Sequence, residues 1–276
     1  MLLKVLELGP FLANCYIVGS EKTKEGLILD PVAEAETIME NVRQLGLTIK
    51  LIIATHSHPD HIGSAQAIQR ATGCSIAAHR AERAWIEDVE LQNRERPVPG
   101  FATLVGGPVP VDHELVDGDT VEPDETRTGE MRVLFTPGHS AGSISLYLHN
   151  EGALFCGDAV PVFGELPVYD DVLLSVRSVK KLKALRGIRV LLSAWDEPRR
   201  GDDAYRQMDL ALEYLRKVHE AVLISAGDGV PDLMELTGKA AAVLGLPPQA
   251  VTPLLARTFA ANLRARGEYI QEGSHE

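Results

Sequence analysis

The sequence predicts an α/β fold that ends in a helical C-terminal region. Up to about residue 200, short apolar segments of strand length alternate with segments of helical period. From about residue 205 onward the apolar spacing is helical throughout. With 276 residues, 45% of them hydrophobic, the chain can bury a large core. We therefore expect a main domain at residues 1–200 and a small helical cap at residues 205–276.

The individual elements follow from apolar periodicity and from the turn residues between them. The first half is predicted to contain strands at 3–6, 15–18 and 26–29, a helix at 33–45, a strand at 51–54, a helix at 62–71 and a strand at 75–78. Residues 98–128 are rich in proline, glycine and acids, so loops and turns around edge strands are expected there. The remainder is predicted to contain strands at 131–135, 143–148 and 153–156, a helix at 172–185, a strand at 189–192, and helices from 205, at 231–244 and at 248–266.

Charge and cysteine usage argue against several classes of protein. A net charge of −12 repels phosphate backbones, which argues against nucleic-acid binding. The 3 cysteines include no CxxC pair, which indicates reduced thiols, and we expect a cytoplasmic location. Neither a signal peptide nor a membrane-spanning run is recognisable. The expected partner is a small-molecule substrate, with no nucleic acid and no membrane, and the chain is a candidate homodimer.

The most informative segment is residues 56–61, with the sequence HSHPDH. It follows the apolar segment 51–54, which is typical of a strand buried on both faces, and precedes an amphipathic helix. Clustering imidazoles and a carboxylate in one short loop is costly unless the cluster has a function, because the donors compete for few partners. The motif therefore indicates the floor of a metal site.

Two further ligand-type residues follow predicted strands. His139 lies in a Pro-Gly-His sequence after strand 131–135, and Asp158 lies in a Gly-Asp sequence after strand 153–156. Together with HxHxDH, and with the early segments 14–16 (NCY) and 29–31 (LDP), this order resembles the metallo-β-lactamase fold superfamily over about residues 3–198. The resemblance implies a four-layer αββα sandwich with a metal site at one edge of its two sheets, so that 1–200 would be the catalytic domain.

The resemblance also implies a ligand set and a cofactor of one or two divalent metal ions. His56, His58 and His139 would form the first site; Asp60, His61 and the bridging Asp158 would form the second. Three imidazoles with one open position are typical of a catalytic zinc site. A shared carboxylate would hold two cations roughly 3.5–4 Å apart, and water bound there would lose its proton near neutral pH.

The chain departs from the family pattern at the last expected ligand. Where members with a complete second site have a histidine, this sequence has Trp195, and indole is only a donor. The second site lacks a ligand unless Asp196 turns in, and an oxygen ligand there would favour iron or manganese over zinc. Asp30, before a proline in a turn, is interpreted as structural.

Three functions remain open. The leading one is hydrolysis of a small ester or thioester, as in hydroxyacylglutathione hydrolases, with metal-bound hydroxide as the nucleophile and Asp60 assisting proton transfer. Residues 159–164 (AVPVFG) are apolar, which argues for an apolar acyl group rather than glutathione recognition. The second is a mononuclear iron enzyme like the persulfide dioxygenases, using His56, His139 and Asp158. The third is a degenerate member that binds a metal without turnover.

Overall fold

The computed structural model describes residues 1–122, 129–227 and 232–268. The chain divides into two compact units, and neither is a single stretch of sequence. Unit 1 contains Met1–Phe135, Gly142–Gly157 and Gly187–Arg199, and unit 2 contains Thr136–Ala141, Asp158–Arg186 and Arg200–Glu276. The division at about residue 200 into a domain and a cap stays a prediction.

The first sheet of unit 1 has six strands, which lie side by side in chain order. They are Leu2–Leu8 (β1), Ala13–Gly19 (β2), Glu25–Leu29 (β3), Thr48–Ile53 (β4), Ser75–His79 (β5) and His113–Leu115 (β6). β1, β2 and β3 are antiparallel, whereas β3 to β6 are parallel. Because parallel neighbours need crossover connections, helices lie between the later strands in the chain.

The second sheet also has six strands in chain order. They are Thr120–Val121 (β7), Met131–Phe135 (β8), Ile144–Leu148 (β9), Ala153–Gly157 (β10), Val190–Ser193 (β11) and Arg199–Arg200 (β12). β7 to β10 are antiparallel and β10 is parallel to β11. β8 and β10 therefore run in the same direction and end at the same edge of this sheet.

Both faces of β2 are buried, and its residues alternate between two cores. Tyr16 and Val18 belong to the core that also contains Phe155 of the second sheet, whereas Cys15 and Ile17 belong to the other core. The rings of Tyr16 and Phe155 meet edge to face with centroids 5.2 Å apart. The two-residue period of a strand thus places alternate side chains between the sheets and under the helices of unit 1.

The helices of unit 1 differ most from the sequence prediction. They are Ala35–Leu45 (α1), Pro59–Ile62 (α2), Ala65–Thr72 (α3), Arg83–Glu87 (α4), Val89–Glu95 (α5) and Phe101–Leu104 (α6). The helix predicted at 62–71 is instead divided between α2 and α3, because the Ser64 N–H donates to the Pro31 carbonyl rather than within a continuous helix. The prediction of loops at 98–128 is wrong at α6, and residues 123–128 lie outside the described part of the chain.

Unit 2 consists mainly of four helices, at Val172–Lys183 (α7), Asp202–Ala226 (α8), Leu233–Leu244 (α9) and Pro253–Arg264 (α10). α8 packs against α7, α9 and α10. Asp171 and Thr252 cap α7 and α10 by accepting hydrogen bonds from backbone N–H groups of the first turn. The helices predicted to begin at 205, 231 and 248 correspond to α8, α9 and α10, which begin at Asp202, Leu233 and Pro253. Position 231 is outside the described residues. Among the described helices, none is long and apolar enough to cross a membrane.

Candidate metal centre

The three histidines of the 56–61 motif lie together in unit 1, directly after β4. His56 and His61 are fully buried and His58 is nearly so. The ring of His56 lies 4.4 Å from that of His58 and 4.0 Å from that of His61, measured between centroids. A ligand atom of His56 lies within 4.8 Å of one on each of the other two. Buried imidazoles at this spacing are candidate metal ligands.

Asp30 fixes which ring nitrogen of His61 and His56 carries the proton. One oxygen of Asp30 accepts a hydrogen bond from the Thr55 N–H at 2.7 Å, and the other from the Thr55 hydroxyl at 2.8 Å. That second oxygen also lies 3.0 Å from Nδ1 of His61, so this nitrogen donates to the carboxylate. Because the Thr55 hydroxyl already donates to Asp30, it accepts from Nδ1 of His56, 3.1 Å away. Both rings keep the lone pair of Nε2 for a metal.

The structural interpretation of Asp30 was incomplete. Asp30 does hold the backbone at Thr55, and its own backbone is left-handed, with φ of 49°. Its contact with His61 joins residues 31 positions apart, which the sequence does not reveal. Gly157, with φ of 48°, packs so closely on this network that a Cβ there would lie 2.6 Å from the Thr55 hydroxyl oxygen. A glycine is therefore required just before Asp158.

Glu82 is a second carboxylate that supports the motif, and sequence reasoning missed it. The side chain is buried, and one oxygen accepts from both the N–H and the hydroxyl of Ser57. The other oxygen accepts from the Gly142 N–H at 2.5 Å. The Gln92 amide donates to the Ser57 carbonyl, also at 2.5 Å. Nothing local distinguishes Glu82 from Glu87, which pairs with a surface arginine, so only packing identifies it.

Unit 2 holds the other two predicted ligands, His139 and Asp158. Nε2 of His139 lies 3.3 Å from a carboxylate oxygen of Asp158, and both side chains are largely buried. Nδ1 of His139 lies 2.7 Å from the Val168 carbonyl oxygen, which can only accept, so Nδ1 carries a proton. The lone pair of Nε2 and the carboxylate oxygen then repel each other unless a proton or a metal ion lies between them. This donor set fits a cation.

The remaining predicted ligands of unit 1 have different surroundings. Asp60 lies in the first turn of α2 and is partly buried. Trp195, 38% exposed, meets the ring of His61 edge to face at a centroid distance of 6.1 Å. Asp196 forms a two-point ion pair with Arg199, with both N–O distances 2.7 Å. Its carboxylate is thus engaged by a guanidinium, and its role as a ligand stays a prediction.

The surroundings of three other reactive side chains, those of His79, Cys15 and Cys156, indicate structural roles. His79 stacks on Phe135 at 4.6 Å between centroids, and Nδ1 accepts from the Ala81 N–H. Burial lowers the pKa of His79, which favours the neutral ring. Burial raises the pKa of the Cys15 thiol, which also favours the neutral form, and Cys156 is buried on β10. Inert thiols are expected in such surroundings.

A fold of two mixed sheets with helices, with buried histidines and carboxylates at strand ends, defines a metal-binding αββα protein. A sequence profile described as the metallo-β-lactamase superfamily matches residues 8–224. The chain belongs to this superfamily, and the predicted αββα fold class with a C-terminal helical region is confirmed.

Three relatives illustrate the likeness. A probable metallo-hydrolase YqgX of Bacillus subtilis is 33% identical over 160 residues, which is 56% of this chain and 69% of the relative. A hydroxyacylglutathione hydrolase of Rhodospirillum rubrum is 32% identical over 145 residues, covering 52% of this chain and 46% of the relative. The crystal structure of a metallo-beta-lactamase family protein of Thermus thermophilus aligns with a TM-score of 0.72 at 23% identity, covering 96% of this chain and 93% of that one.

Proposed function

We propose that this protein is a metal-dependent hydrolase of a small ester or thioester. The observation that carries the proposal is the hydrogen-bond geometry at Nδ1 of His56, His61 and His139, which assigns the three rings the same tautomer. Each donates from Nδ1 to a protein oxygen and presents Nε2. Partners of this kind normally orient metal-ligating histidines and increase their basicity. Relatives named as hydrolases support the same reaction class.

His56, His58 and His139 would hold one divalent ion, and Asp60, His61 and the bridging Asp158 a second. Imidazole and carboxylate donors suit zinc, iron and manganese. A bound ion would supply a Lewis acid and would make water a competent nucleophile at neutral pH. Asp60 would accept and return the proton during the reaction.

Apolar side chains near predicted ligands, in space in unit 1 and along the chain in unit 2, support the proposal of an apolar acyl group. Trp195 presents a partly exposed indole beside His61 in unit 1. In unit 2, Phe163 is exposed in the apolar segment after Asp158, with its ring 5.1 Å from that of Tyr214. A glutathione carrier would need several cationic groups for its carboxylates; segment 159–164 contains none, and the Lys217 ammonium, 5.3 Å from the centre of the Phe163 ring, supplies one beside it. We therefore propose an apolar ester or thioester on another carrier.

The test combines metal analysis with a substrate panel. Protein purified without a metal-affinity column is analysed for zinc, iron and manganese, and is then assayed on esters and thioesters of increasing acyl length. We expect hydrolysis that stops on chelation and returns with one specific metal. Full activity in metal-free protein would refute the proposal. His113→Ala, at an exposed position of β6, is the matched histidine control for His56→Ala.

One observation favours a second candidate, a mononuclear iron oxygenase using His56, His139 and Asp158. The position expected to complete the second site is Trp195, and the neighbouring Asp196 is paired with Arg199. Two histidines and one carboxylate form the usual ligand set for oxygen chemistry at ferrous iron. Oxygen consumption with a persulfide, by protein containing one iron, would support this candidate over hydrolysis.

A further inference from the structure

The C-terminal helix α10 contributes to a buried polar cluster in unit 2. Asn262 is fully buried; its amide nitrogen donates to the Tyr169 hydroxyl at 2.9 Å, and its oxygen lies 3.2 Å from Nδ1 of His219. One turn earlier on α10, the buried Thr258 hydroxyl accepts from the Tyr169 N–H at 3.2 Å. Buried polar networks of this kind are costly unless satisfied, and they fix one arrangement of the elements that they join.

The Tyr169 N–H belongs to the peptide group whose carbonyl is that of Val168. That carbonyl accepts the hydrogen bond from Nδ1 of His139 at 2.7 Å. A single rigid peptide plane is therefore held by Thr258 on its N–H side and contacts His139 on its carbonyl side. If this plane rotated, the carbonyl would leave the imidazole, and the ring could adopt the other tautomer.

Two arginines of α10 hold the next residue of the same segment. Arg257 donates to the Asp170 carboxylate at 3.1 Å, and Arg264 donates to the Asp170 carbonyl at 3.0 Å. The Asp170 N–H in turn donates to the Gly138 carbonyl at 2.8 Å, directly before His139. α10 thus contacts the segment 168–170 through several side chains, and this segment contacts the histidine loop twice.

We propose that α10 positions His139 for metal binding, with Thr258 as the positioning residue that fixes the Val168–Tyr169 peptide plane. This inference rests on the proposed function, since it takes His139 to be a metal ligand. It assigns the C-terminal helix α10 a part in holding a metal ligand. Thr258 is buried and acts through the peptide group.

The test compares two isosteric substitutions in unit 2. Thr258→Val removes the hydroxyl that holds the peptide plane and keeps the shape of the side chain. Thr237→Val makes the same change in α9, where the equally buried hydroxyl donates to the Leu233 carbonyl of its own helix. Zn²⁺ affinity is measured by competition with a chromophoric chelator, and thermal unfolding of the metal-free proteins is measured alongside.

We expect Thr258→Val to weaken Zn²⁺ binding about tenfold, at the lower end of the effect of removing a partner of a metal ligand. Thr258→Ser should restore the affinity, and Thr237→Val should leave it unchanged even if it lowers the melting temperature. Equal affinities of Thr258→Val and wild type would overturn the inference. His139→Ala separates the two claims. If His139→Ala and Thr258→Val both bind Zn²⁺ as tightly as wild type, the proposed function and the inference both fail. If His139→Ala loses affinity and Thr258→Val does not, the inference alone fails.

A second measurement observes the tautomer of His139 directly, beginning with the wild-type protein. In metal-free wild-type protein, nitrogen-15 NMR of the His139 ring should show a directly bonded proton on Nδ1. In Thr258→Val that signal should weaken or exchange faster with solvent. A proton on Nε2 alone in the wild type would contradict the inference.

Discussion

Replacing Asp30 by asparagine should damage both stability and metal binding, because one side chain serves three donors. The carboxylate accepts from the Thr55 N–H, the Thr55 hydroxyl and Nδ1 of His61. An asparagine amide can keep its oxygen toward the Thr55 N–H, but its NH₂ group then faces the other two donors. Two buried hydrogen bonds to a charged acceptor are lost at about 1.5–3 kcal/mol each. The free energy of unfolding should therefore fall by about 3–6 kcal/mol.

The effect on metal binding follows from the tautomer of His61. Without the carboxylate, the Nδ1 proton of His61 has no acceptor at this position, so the ring no longer presents Nε2 reliably. Loss of such a partner typically weakens metal affinity by about 10–100-fold. Denaturant unfolding of the metal-free protein gives the first quantity, and Zn²⁺ competition gives the second.

Asp112→Asn is the matched control. Its carboxylate accepts a single backbone N–H, that of Ile76 at 2.8 Å, and an amide oxygen can replace it. This variant should lose no more than about 1 kcal/mol and bind Zn²⁺ normally. An Asp30→Asn protein as stable as the control, with unchanged affinity, would refute the hydrogen-bond assignment at His61 and His56.

Three other changes probe independent features. Glu82→Gln removes the charged acceptor of the Ser57 backbone N–H and hydroxyl. For the proposed hydrolysis, kcat should therefore fall about tenfold with little change in KM, measured by steady-state kinetics. Burial lowers the pKa of His219 below its ordinary 6.5, so the folded state binds fewer protons than the unfolded state, and stability should decrease as pH falls below about 6.5. His219→Gln should flatten that decrease in denaturation curves of metal-free protein; an unchanged slope would contradict it. Trp195→His supplies an imidazole beside His61, so the bound metal per chain should increase, measured by elemental analysis.

Much of the fold could be predicted because the strands are short, apolar and separated by turn residues. β8, predicted at 131–135, has those bounds in the structure, and most other strands differ by a few residues. The prediction failed where a long-range contact overrides local periodicity. At Ser64, a hydrogen bond to the Pro31 carbonyl interrupts the helical pattern. In α4 to α6, helices of a few residues leave too little sequence for a period to emerge.

The chain's own sequence determined the donor types and their local spacing, since HxHxDH, Pro-Gly-His and Gly-Asp are each contained within a few residues. Tertiary structure alone decided which nitrogen of the His61 and His139 rings is protonated. The acceptors for His61 and His139 are 31 and 29 positions away in the chain. Hydrogen-bond partners at such separations are selected by the packing of whole strands and helices, and no local pattern encodes them.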